Sequence, residues 1–153
     1  MNMKVFKFGG ASIKYANSIR NMTDIVAEYP DDPLVIVVSA MGKTTNKLEQ
    51  IFFKKLKDDD IKAGQHELTE YHSMIIKDLF REPTNIDLKP VNELFNDLES
   101  ILGSNVKNRN GARLYDAVVS FGELLSSTII GLYMQDRGMK ISWIDARNLI
   151  KTD

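Results

Sequence analysis

Three short segments of the sequence hold the residue types from which phosphate and amino-acid sites are built. The first is Lys7-Phe8-Gly9-Gly10-Ala11-Ser12. Adjacent glycines let backbone N–H groups come close to an anion, and the start of a following helix favours negative charge. Lys7 stands where a strand would meet those glycines, so its ammonium can neutralise charge developing on a transferring phosphoryl group. The plainer reading is a strand, a turn and a helix beside an exposed lysine. The second segment is Ser39-Ala40-Met41-Gly42-Lys43-Thr44-Thr45-Asn46. Its Gly42-Lys43-Thr44 invites a P-loop reading, but that pattern needs a glycine where the sequence has Val37. What remains is a hydroxyl-rich loop of small residues, suited to a polar small molecule. Thr44 or Thr45 would equally suit the cap of a following helix.

The third segment is Ser120-Phe121-Gly122-Glu123-Leu124-Leu125-Ser126-Ser127, in which Glu123 interrupts an apolar stretch. A carboxylate there needs a partner or solvent. A ligand's ammonium group is one such partner; a surface-facing helix position would need none.

The elements that must position these segments follow from periodicity. Lys4 to Phe8 alternates polar and apolar residues and stops at Gly9-Gly10, which predicts a strand entering a glycine turn. Ile19, Met22, Ile25, Val26 and Tyr29 have helical spacing, and Pro30-Asp31-Asp32-Pro33 ends that helix. Leu34 to Val38 is continuously apolar, as in a parallel strand buried between two helix layers. Helices are predicted over residues 45–57, 65–80 and about 89–102, with breaks at Asp58-Asp59-Asp60, at Gly64 and at Pro83-Thr84-Asn85. Gly103 to Gly111 reads as a flexible loop. Ala112 to Arg137 reads as helix in two parts joined near Ser120-Phe121-Gly122, with Gly138 placed for the left-handed conformation past its end. Lys140 to Ile144 predicts a third strand. Strands at both ends with helices between them imply an α/β fold, with ligands at the carboxyl ends of the strands.

Composition narrows the partners. The chain has 153 residues, 43% apolar and 27% charged, which suits one globular domain. Lys plus Arg number 20 and Asp plus Glu 21, a net charge of −1 that gives no footprint for nucleic acid or an anionic membrane. There is no cysteine, hence no disulfide or thiolate metal site. No signal-peptide pattern or uninterrupted membrane-length apolar run is present, so a cytoplasmic location is expected. His66 and His72 lie about 600° of helical rotation apart, which does not suit a shared metal; no metal-ligating residue is assigned.

Taken together, Lys-Phe-Gly-Gly-x-Ser, Val-Val-Ser-Ala-Met-Gly-x-Thr-Thr-Asn and Ser-Phe-Gly-Glu resemble, in order and spacing, the aspartokinases of the amino acid kinase family. Asp145-Ala146-Arg147 is similar to a further family segment. The resemblance covers essentially the whole chain and implies a three-layer α/β/α fold with a mainly parallel sheet, incomplete here. It implies that Lys7 is the catalytic lysine and that Lys7, Gly9, Gly10 and Ser12 contact the phosphates of ATP. Ser39, Ala40 and Thr45 would line an L-aspartate pocket, and Glu123 would bind the substrate's amino group. The implied reaction is attack of the aspartate β-carboxylate on the γ-phosphate of ATP with Mg²⁺, the first step toward lysine, threonine and methionine.

Two departures from the family pattern stand out. Ala11 replaces the usual threonine, which removes one hydroxyl near the phosphates. The Gly-Gly-Ser-Asp segment that supplies a catalytic aspartate, the nucleotide-base pocket and the regulatory domains have no counterpart in residues 1–153. The chain is therefore expected to be the N-terminal, amino-acid-binding part of such a kinase and inactive alone. A non-catalytic aspartate-binding or assembly module is the alternative. Apolar surface left uncovered by the missing half is expected to drive homo-oligomer formation.

Overall fold

A computed structural model of the protein describes residues 3–80, 86–104 and 111–150. Strand β1 (Lys4–Phe8) leads into a short 3-10 turn (Gly10–Ile13) and helix α1 (Ala16–Ala27), which returns the chain to strand β2 (Leu34–Val38). The helices α2 (Thr44–Leu56), α3 (Lys62–Leu79), α4 (Lys89–Gly103), α5 (Gly111–Val119) and α6 (Phe121–Asp136) follow. A single turn, α7 (Ala146–Leu149), closes the described residues. The strands pair in parallel with no stagger, Lys4 opposite Leu34 and Phe8 opposite Val38. Both therefore end at the same level, which sets the segments after Phe8 and after Val38 side by side.

Phe6, Phe8, Leu34, Ile36 and Val38 point to one face of this ribbon and pack on a core that includes Ile19, Met22, Leu125 and Ile129. A second core, around Leu48, Ile51, Phe52, Leu98 and Val118, holds α2 to α5. Helix α6 touches β2, α2, α4 and α5, which explains why it is apolar nearly all round. Together α5 and α6 are long and apolar enough to cross a membrane. However, 61% of their most apolar stretch is buried inside the protein, as in a core helix.

Four expectations need correction. Leu34 to Val38 is not covered on both sides, because Val35 and Val37 remain 42% and 46% exposed. The three-layer sandwich is thus present as two strands with helices over one face. Lys140 to Ile144 forms no strand: among the described residues the sheet contains β1 and β2 alone. A strand needs a neighbour to satisfy its backbone, and Ile141 and Trp143 instead pack beside Gly131 of α6. Gly64 does not break a helix but lies in the first turn of α3, where a Cβ would come within 2.9 Å of Ile51. Finally, neither Thr44 nor Thr45 caps α2: Lys43 holds the cap position without a side-chain bond.

The division of residues 112–137 at Ser120 and the left-handed Gly138 (φ 77°) agree with expectation. Pro83-Thr84-Asn85 and most of the Gly103 to Gly111 loop lie outside the described residues.

Candidate phosphate and amino-acid site

The unstaggered strands deliver two loops, and backbone bonds tie them together. The Ser39 N–H donates to Phe8 O at 3.1 Å, and the Gly42 N–H donates to Gly10 O at 3.0 Å. This approach is possible only because Gly10 lacks a side chain, since a Cβ there would stand 2.4 Å from Ala40 O. Gly42 makes the return turn with φ 55°, a left-handed conformation that glycine adopts without strain. Between Gly9-Gly10 and the expected helix α1 the chain makes a single 3-10 turn, closed by the Ser12 N–H donating to Gly9 O at 2.9 Å.

Helix α6 supplies the third wall. Gly122 lets it lie on the second loop, because a Cβ there would come within 2.8 Å of Ala40 Cβ. One residue on, Glu123 Oε1 accepts the Ala40 N–H at 3.3 Å. Glu123 is exposed and makes no ion pair among the described residues, so its carboxylate keeps acceptor capacity for a cation. Ser126, fully buried, directs its hydroxyl between Gly122 O (2.7 Å) and Ser39 O (2.8 Å), which pins the loop to the helix. The Thr44 hydroxyl, also buried, donates back to Met41 O at 2.7 Å and stiffens the turn from within.

Lys7 lies on the uncovered face of β1, opposite Val37 in register, and is exposed. Its Nζ hangs over the glycine turn, 3.8 Å from where a Gly9 Cβ would be. It has no carboxylate partner among the described residues. The site has an ammonium without an ion-pair partner among the described residues at the glycine end, and at the helix end a carboxylate bonded only to the Ala40 N–H. Such an arrangement can hold a ligand that is anionic at one end and cationic at the other.

Most of the residues singled out from the sequence meet here. Lys7, Gly9 and Gly10 form one arm, and Ser39, Ala40 and Glu123 the other. The side chains of Ser12 (exposed) and Thr45 (half-buried) make no hydrogen bond among the described residues and flank the site. Sequence reasoning missed the roles of Ser126 and Thr44, which hold the loop from behind. For Ser126, a hydroxyl inside an apolar helix stretch was the available signal. Asp145 and Arg147 instead form a local clasp at α7: the carboxylate accepts the Arg147 N–H at 2.9 Å and the guanidinium Nη2 at 2.7 Å. That bond holds the Asp145 carboxyl below the usual carboxylate range.

Glycine backbone and an ammonium fit a phosphate chain. Among the described residues no three His, Asp or Glu side chains are grouped together. His66 is exposed beside Glu70, and His72 is buried in the core.

The chain belongs to the amino acid kinase family, whose pattern matches residues 2–152. It is 34% identical over 147 residues to Aspartokinase 1, chloroplastic, of Arabidopsis thaliana, covering 93% of this chain and 25% of that protein. To the bifunctional aspartokinase/homoserine dehydrogenase 2 of Escherichia coli it is 30% identical over 155 residues, covering 98% of this chain and 18% of the relative. The solved structure of E. coli aspartokinase III in complex with lysine and aspartate superimposes with a TM-score of 0.78. There the identity is 23%, over 95% of this chain and 32% of that one. The fold is thus that of the amino acid kinases, in part: the chain spans 25% and 18% of the length of these two curated relatives.

Proposed function

We propose that this chain is the amino-acid-binding part of an aspartokinase. The observation that carries the reading is the fastening of Gly9-Gly10 to Ser39-Ala40, with Glu123 bonded to Ala40. In this reading Glu123 takes the α-ammonium of L-aspartate, while Ser39, Ala40 and Thr45 line its backbone side. The β-carboxylate then points toward the glycine turn. There Lys7, with the backbone of Gly9 and Gly10 and the Ser12 hydroxyl, faces the phosphates of ATP. In the complete enzyme a β-carboxylate oxygen bonds to the γ-phosphorus as the bond to the β,γ-bridging oxygen breaks, giving 4-phospho-L-aspartate and ADP. The Lys7 ammonium offsets the charge passing to the departing oxygens. No general base is required, because the attacking group is already ionised at neutral pH.

E. coli aspartokinase III has been solved in complex with aspartate and ADP, which supports the choice of ligands. No residue of the 153 matches the Gly-Gly-Ser-Asp segment, so this chain alone is expected to bind aspartate without turning it over. Titrating the ¹⁵N-labelled chain with L-aspartate tests this. Saturable shifts are expected at the Ser39 and Ala40 amides, reduced at least about tenfold in affinity in Glu123→Gln, where a charge-assisted bond is lost. Shifts that survive unchanged in Glu123→Gln, or none at all, overturn the assignment. A second reading, a non-catalytic assembly module, draws on the uncovered sheet face, whose Val5, Val35 and Val37 would favour a homo-oligomer.

A further inference from the structure

Helix α3 contributes none of the residues assigned to binding, yet one of its side chains reaches both loops of the site. The Tyr71 hydroxyl donates to Lys14 O at 2.7 Å, just past the 3-10 turn that carries Ser12. The same oxygen lies 2.7 Å from where a Cβ on Gly42 would be, in contact with the turn of the second loop. Gly42 in turn donates its N–H to Gly10 O. The buried His72 meets the Tyr71 ring edge-on at 5.1 Å between centroids. Helix α3 is itself fastened to α1, where Arg20 Nη2 donates to Asp78 Oδ1 at 3.1 Å. Burial pushes the Tyr71 hydroxyl above its ordinary range, so it stays a donor well above neutral pH.

We propose that Tyr71 is a positioning residue that sets the spacing between the phosphate-side and acid-side loops by bracing Lys14 and Gly42 with one hydroxyl. The inference rests on the kinase reading of those loops for its functional meaning, but its structural content is separate. A brace of this kind differs from ordinary packing in that the oxygen alone matters, not the ring. Tyr71→Phe keeps the ring and removes the oxygen.

The test is amide hydrogen exchange on the ¹⁵N-labelled chain, wild type against Tyr71→Phe. Losing the Tyr71–Lys14 bond loosens the pairing of the two loops, which predicts about five- to tenfold faster exchange at Gly42, whose N–H crosses to Gly10 O, with the core amides of Leu48 and Ile129 changed less than about twofold. An unchanged Gly42, or equal acceleration at Gly42, Leu48 and Ile129, overturns the proposal, since the latter is the mark of plain packing. Titration with L-aspartate under the same conditions separates the two readings. If wild type binds, Tyr71→Phe is expected to bind at least about threefold more weakly, and equal affinity refutes the functional role. If wild type shows no shift, the amino-acid-binding assignment fails, while exchange at Gly42 still decides whether Tyr71 braces the loops.

Discussion

The two faces of one short ribbon have opposite fates. Phe6, Phe8, Leu34, Ile36 and Val38 lie against the helices, whereas Val5, Val35 and Val37 stay largely exposed around Lys7. The residue types hardly differ, since valine occurs on both sides. Alternation along a strand divides the side chains between two faces, but which face is covered depends on what packs there. The covered face holds the fold together. The uncovered one carries the lysine of the candidate site, at the end where the glycine turn begins.

That contrast can be broken most strongly by truncating each face in turn. Ile36→Ala is expected to cost about 1–3 kcal/mol by removing half-buried atoms packed against the core, whereas Val37→Thr should stay within about 0.5 kcal/mol. Urea denaturation of the two variants measures the difference, and equal losses would mean that both faces are packed in solution.

A smaller effect depends on pH. In helix α3 His72 is fully buried, its Nδ1 lies 2.8 Å from Leu68 O, and its Nε2 has no partner among the described residues. Burial therefore pushes its pKa below the ordinary 6.5, outweighing the opposing bond to Leu68. Between the lowered folded value and about 6.5 the unfolded chain binds a proton that the folded chain refuses. This contribution is complete above about pH 6.5 and is lost as pH falls through that window, by up to about 1.4 kcal/mol per pH unit. Stability measured from pH 7.5 to 5 should show this fall, and His72→Leu should lack its share of it.

The smallest effect on stability belongs to the uncovered face and is best read as association. Light scattering over a concentration series should reveal self-association that Val35→Lys with Val37→Lys reduces, while the unfolding midpoint moves little. A wild-type monomer at every concentration would remove the case for an assembly surface.

Much of this molecule was legible in the sequence, for reasons that are local. Alternation and glycine placement located β1 and its turn, helical spacing located α1 to α4, and a small-residue junction located the division at Ser120. The residues chosen for the site were legible because motifs with chemical content stood at strand ends and on one helix. What misled was also local. Gly64 has the composition of a break, and only the close approach of Ile51 on α2 explains a glycine in the first turn of α3. Lys140 to Ile144 has the composition of a strand, yet a strand exists only with a neighbour to pair with.

The sequence by itself determined which segments are extended, which are helical and which residues could meet a phosphate or a carboxylate, because those properties follow from backbone preference and side-chain chemistry. Tertiary structure alone decided that the two strands end level, that Gly10 and Gly122 admit Ala40, that Ser126 and Tyr71 hold the loops, and that Lys7 faces outward. The reason is physical: these are contacts between residues from about 30 to over 80 positions apart, and no local preference encodes a distance across the fold.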